Sequence, residues 1–141
     1  MPERSFQVDN EGLADMVVLV ALATLDNANL GALAGGDPVN VGDLHAFVKS
    51  RVDYLPDTST DRQRIRAPWI TLRDGVGDCK STAILAYCLA RLNGNAAFLR
   101  FYDKTGDGWD HVAAIVDGVA CDPLLDLGTE VDYVRKRDVY I

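Results

Sequence analysis

Apolar positions along the chain change their period twice, and the changes divide it into regions. Over residues 11–25, Leu13, Met16, Val17, Val20 and Leu22 recur at mostly helical spacing behind Asp9 or Asn10 as a cap. A helix is expected there, although Val17 to Val20 also reads as a buried strand. Residues 26–41 are rich in Asn, Gly, Asp and Pro and read as a loop. A second helix is expected over 43–53, capped by Asp43, with Leu44, Phe47, Val48 and Val52 on one face. Pro56 disfavours helix at Leu55. Residues 57–66 are polar and leave room for a short helical turn. Pro68 to Leu72 is an apolar step before the Gly-rich turn Asp74-Gly75-Val76-Gly77-Asp78. From Lys80 to Leu92 the chain turns strongly apolar, and no charge falls between Ala83 and Ala90. A helix apolar on every face is a central one, and Asn93-Gly94 is a suitable stop.

Period 2 then takes over. Strands are expected at Ala96–Tyr102, His111–Val116 and Val119–Asp122, with a turn over 103–108 and a hairpin at Asp117-Gly118. The tail from Glu130 to Ile141 reads equally as strand or short helix. Helices first and antiparallel strands afterwards argue for an α+β fold rather than a doubly wound parallel sheet.

Composition narrows the classes of function. With 141 residues, a single domain is the expectation, with 1–40 as a helical arm and loop and 43–123 as the core. A hydrophobic fraction of 48% and a charged fraction of 25% are globular values. Asp and Glu outnumber Lys and Arg by 21 to 14, which argues against nucleic acid or an anionic membrane as partner. The longest apolar run, Met16 to Ala23, is 8 residues, where a bilayer span needs about 20. No targeting segment is recognisable, so the cytoplasm is the default, with a virion role left open. Three cysteines at irregular positions do not form a secreted disulfide framework.

The thiols separate by position. Cys88 sits in the apolar centre of the helix, and Cys121 is expected to face the core. Cys79 is expected to be exposed at the helix N-terminus, where unpaired N–H groups and the helix dipole favour a thiolate and can donate to an oxyanion. Gly75 and Gly77 permit a tight turn and close backbone approach. With Asp117-Gly118 as the turn, Asp122 lies opposite Ala113. Alternation then makes His111 and Asp122 diagonal neighbours on one face, close enough for an imidazole–carboxylate hydrogen bond. Nucleophile, base and orienting carboxylate would together form a generalised triad. Other polar residues read more simply. His45 is a surface or satisfied structural histidine, and the basic residues between Lys49 and Arg73 are a solvated surface. Asp103, Asp107 and Asp110 lack calcium-loop spacing and belong to a turn. No Cys or His pair has zinc spacing, so neither metal nor cofactor is expected.

Gly77-Asp78-Cys79-Lys80-Ser81, His111-Val112 and Asp122-Pro123, in that order, resemble the transglutaminase-like superfamily with its papain-like fold. Val52-Asp53-Tyr54 with Asp57, then Ile65-Arg66-Ala67-Pro68 and Leu72, is similar to the variety common in bacteria and bacteriophages. The resemblance implies a papain-like core, with a helix starting at the cysteine packed on an antiparallel sheet. It implies Cys79 as nucleophile, His111 as general base and acid, and Asp122 as orienting residue. The family often carries an acidic residue soon after the cysteine, and Lys80 and Ser81 stand there instead. Some members use an upstream Trp as oxyanion donor. Trp69 and Tyr54, together with Gly77 and Asp78, are the candidate substrate or oxyanion contacts. The implied chemistry is thiol-dependent acyl transfer on an amide or isopeptide bond of a protein or peptide, as protease, deamidase or transglutaminase. The alternative is a catalytically silent binding or virion-assembly module. Oligomeric state is not readable from these residues.

Overall fold

The computed structural model describes residues 5–8, 17, 21, 37–55 and 63–140. The expected helix over 11–25 otherwise lies outside the described residues, as does most of the loop over 26–41. Val17 and Ala21 are both helical and fully buried, one helical turn apart. Cys88 Sγ donates to Ala21 O at 3.8 Å.

Strand β1 (Ser5–Val8) pairs antiparallel with β3 (Gln63–Arg66), Ser5 opposite Arg66. The end of the polar stretch over 57–66 is therefore a strand, not a helical turn. Its partner lies far away in sequence, and no local pattern announces it. Helix α1 (Val41–Arg51) starts two residues earlier than the expected 43–53. Asn40, not Asp43, is the cap: its Oδ1 accepts from Gly42 N at 2.8 Å and Asp43 N at 3.3 Å. Asp43 lies in the first turn, where its charge still suits the helix dipole. Val52 is extended and leads into β2 (Asp53–Tyr54), which pairs parallel with β4 (Val76–Gly77).

Between β3 and β4 the apolar step is a full helix, α2 (Pro68–Asp74). Pro68 is tolerated at its start because a first-turn N–H has no intrahelical partner. Gly75 closes it at φ 70°, a left-handed conformation that glycine adopts without steric penalty.

Helix α3 (Cys79–Leu92) is the central element, and every residue from Cys79 to Ala90 is buried. Asp78 caps it, accepting from Ser81 N at 3.0 Å. Asn93 ends it by donating its side-chain amide to Leu89 O at 2.8 Å. The helix packs on a four-stranded antiparallel sheet of β5 (Ala97–Asp103), β6 (His111–Val116), β7 (Val119–Cys121) and β8 (Arg135–Val139), in the order β7-β6-β5-β8. The expected α+β architecture is thus the observed one. Leu99, Phe101, Val112, Ala114, Val116 and Cys121 join Ile84, Leu85, Tyr87 and Cys88 of the helix in one core. Each fully buried large side chain contributes roughly 1.5–3 kcal/mol.

The β6–β7 hairpin has the anticipated register. Asp117 (φ 50°) and Gly118 (φ 81°) form the turn, with Val116 opposite Val119 and Ala114 opposite Cys121. The tail resolves as strand β8, with Leu99 opposite Val139 and Asp103 opposite Arg135. Asp103 organises the preceding turn: its carboxylate accepts from Gly106 N at 2.6 Å and Arg135 Nε at 2.5 Å. Among the described residues, no helix is long and apolar enough to cross a membrane.

Candidate active site

Cys79 is the first residue of α3, but it is not exposed: only 8% of its surface is accessible. Helix α3 packs against α2, β4 and β6, and Lys80, Ser81 and Thr82 are buried beside Cys79. The Cys79 backbone N–H has no hydrogen-bond partner among the described residues, as expected of a first-turn amide.

His111, the first residue of β6, is also buried, and its Nε2 lies 2.7 Å from Asp122 Oδ2. Cys79 is the second acidic group that acts on the His111 imidazole. Burial alone would lower the His111 pKa. The hydrogen bonds and negative charges of Asp122 and Cys79 outweigh burial and raise it to about 9. The other carboxylate oxygen of Asp122, Oδ1, accepts from Leu124 N at 3.1 Å, and the Asp122 carbonyl accepts from Leu125 N at 3.0 Å. Both carboxylate oxygens are therefore oriented. The backbone hydrogen bond closes a turn, with Pro123 at a position that suits its fixed φ.

The face of the sheet opposite α3 carries a polar network next to the imidazole. The Tyr102 ring lies 5.7 Å from that of His111. Tyr102 donates its hydroxyl to Glu130 Oε1 at 2.7 Å, and Arg100 reaches the same oxygen at 2.6 Å. Arg100 Nε also bonds Asp138 at 2.7 Å. Burial and the Glu130 carboxylate raise the Tyr102 pKa far above the usual phenol range, so this hydroxyl stays protonated.

The remaining candidates fall in different places. Tyr54 is at the site: its pKa is raised first by partial burial, then by the charges of Cys79, Asp78 and Asp122. Its backbone is the β2 partner of Gly77. Beside it opens a cleft of about 210 Å³, lined by Lys49, Val52, Tyr54, Thr82, Pro123 and Leu124 among others. Asp78 is occupied with structure: one oxygen caps α3 and the other pairs with buried Lys80. Gly77 serves packing rather than substrate approach, because a Cβ there would meet Thr71 Cγ2 at 3.1 Å and Ser81 Cβ at 3.2 Å. Trp69 lies on α2. Its ring carries the Arg73 guanidinium at 5.1 Å, and its indole N–H is buried without a hydrogen-bond partner among the described residues.

All three cysteines are free. Cys88 and Cys121 are fully buried, and burial followed by the Asp122 charge pushes the Cys121 thiol up to about 12. His45 is a satisfied structural histidine, as read, but it is buried and bonded to the turn that carries Asp122. The available signal was its place three residues before Val48, on the buried side of α1. Nothing local marks Lys80 as buried.

The fold is an α+β core in which a helix starting at Cys79 packs on an antiparallel sheet. A crystal structure from Cytophaga hutchinsonii, named a "putative cysteine protease", shares the fold with a TM-score of 0.51 at 17% identity. The match covers 94% of this chain and 54% of that one, so the chain spans about half the length of that protein. No protein-family profile matches the chain, and no curated protein matches it in sequence.

Proposed function

We propose that the protein is a thiol-dependent acyl-transfer enzyme acting on an amide or isopeptide bond of a protein or peptide, with Cys79 as nucleophile, His111 as acid and base, and Asp122 as orienting residue. One observation carries this reading. Separate parts of the chain bring a thiol, an imidazole and a carboxylate together, with His111 bonded to Asp122 at 2.7 Å and Cys79 near enough for its charge to act on the same imidazole. A packing cysteine requires no such partners.

In the first step His111 takes the Cys79 proton, and the sulfur attacks the carbonyl carbon. The Cys79 N–H, a first-turn amide of α3, donates to the oxyanion that forms. Tyr54, whose proton is firmly held, is the side chain placed to hydrogen-bond the substrate at the mouth of the cleft. The C–N bond breaks, the amine leaves with the proton held by His111, and a thioester remains. Water then attacks with His111 as base, the C–S bond breaks, and a carboxylic acid and free Cys79 result. A lysine amine in place of water gives transglutaminase-type exchange, the chemistry implied by the motif order. The likeness in fold to a protein named a cysteine protease favours water.

Iodoacetamide alkylation of the native protein near neutral pH, mapped by mass spectrometry, tests the assignment. Cys79 is expected to react first, and His111→Ala to slow it. The reading is overturned if Cys79 reacts no faster than Cys88 or Cys121 and His111→Ala changes nothing. Cys79→Ala is further expected to abolish turnover of peptide substrates; a folded variant that retains biological activity would point to the silent binding module.

A further inference from the structure

The chain contains two histidines, His45 and His111, and both are bonded to Asp122. His111 meets the carboxylate. His45, on α1, places its Nε2 3.0 Å from the Asp122 carbonyl oxygen and 2.8 Å from that of Leu125. Carbonyl oxygens only accept, so Nε2 carries a hydrogen in either charge state of the ring and donates to the pair. The two carbonyls are the ends of the turn that begins at Asp122, and the side chain that clamps them comes from a helix 77 residues upstream. His45 is 7% exposed, so no solvent competes freely for these bonds.

We propose that His45 is a positioning residue that holds the Asp122 carboxylate in line with His111. The inference rests on the assignment of Cys79, His111 and Asp122 as the reacting group. The carboxylate follows its own backbone closely. Oδ1 is tied to Leu124 N within the same turn, so a rigid shift of that turn carries Oδ2 with it. A hydrogen bond of 2.7 Å to His111 has little tolerance for such a shift, and misplacement by about 1 Å in an active site costs on the order of a hundredfold in rate. Without His45, the turn loses its polar tie to α1.

Proton NMR titration of the full chain separates this role from a mere pin on the fold. In His45→Phe only one imidazole, His111, remains to be observed. The groups that face it are Cys79, Asp122 and Tyr102. The wild-type midpoint for His111 is expected near 9. His45→Phe is expected to lower it by a unit or more, a tenfold or greater loss of proton affinity. His45→Gln, whose side-chain amide donates from about the same distance along the side chain, should restore it. In the Asp122→Asn background, His45→Phe should change nothing further. A midpoint unmoved by His45→Phe, with only the urea midpoint reduced, overturns the proposal. Should His45→Phe not fold, His45→Asn, too short to reach both carbonyls, is read by the same two outcomes. The titration requires no turnover. Failure of selective Cys79 alkylation would therefore sink the functional reading, while an unmoved His111 would sink this one.

Discussion

Asp122→Asn is the perturbation that most directly tests how the site is poised. His111 is buried, and burial by itself would push its pKa below the ordinary 6.5; it stands instead at about 9. The difference is a factor of about 300 in proton affinity, roughly 3 kcal/mol, supplied by the two acidic partners Asp122 and Cys79. Asparagine keeps the size of the side chain and an oxygen able to accept from Leu124 N, so the turn is preserved while the charge is lost. Burial then works against Cys79 alone. We expect the His111 midpoint to fall by at least one unit. The rate of Cys79 alkylation at pH 7 should fall at least tenfold, because fewer molecules hold the thiol proton on the imidazole. The assay pairs NMR titration of His111 with mass-mapped iodoacetamide alkylation of Cys79 across pH. A midpoint still near 9 and an alkylation rate within twofold of wild type would refute the reasoning, since the carboxylate would then contribute neither charge nor orientation.

The remaining predictions concern pH and packing. Because the folded pKa of His111 lies above its unfolded value, its stabilisation is complete below pH 6.5 and is lost as pH rises through about 9. Urea unfolding of wild type should therefore lose stability relative to Asp122→Asn between pH 6 and 10. Turnover on an amide substrate should fall above about pH 9, as the imidazolium that protonates the leaving amine disappears; kcat/KM unchanged to pH 11 would contradict that role. Asp78→Ala removes a helix cap, about 1 kcal/mol, and one member of a buried ion pair, whose disruption costs about 3–5 kcal/mol, so equilibrium unfolding should show a loss of several kcal/mol. Leu85→Ala, at a fully buried position of α3, should cost about 2–5 kcal/mol in the same measurement and leave the His111 titration in place.

Local pattern carried a large part of this molecule. The uncharged run from Ala83 to Ala90 demanded burial on every side, and α3 is the element around which the core closes. Asp117-Gly118 demanded a two-residue turn, because both positions need positive φ. That turn set the register, and the register alone brought His111 and Asp122 to the same face. Strand period and turn chemistry act over a few residues, so they can be read from a few residues.

The features left open or misread all depend on distant partners. Gln63 to Arg66 became a strand only by pairing with Ser5 to Val8, and the tail from Arg135 to Val139 only by pairing with β5. Cys79 looked exposed because a helix N-terminus usually is, yet the fold buries it. Lys80, which stands where the family often carries an acidic residue, is buried against Asp78. His45 looked inert until the fold set α1 beside the turn after β7. Spacing along a chain reveals which side chains share a face of one element. Which faces meet, and therefore which charges are stripped of water and which hydrogen bonds close, follows from contacts across tens of residues that no local period encodes.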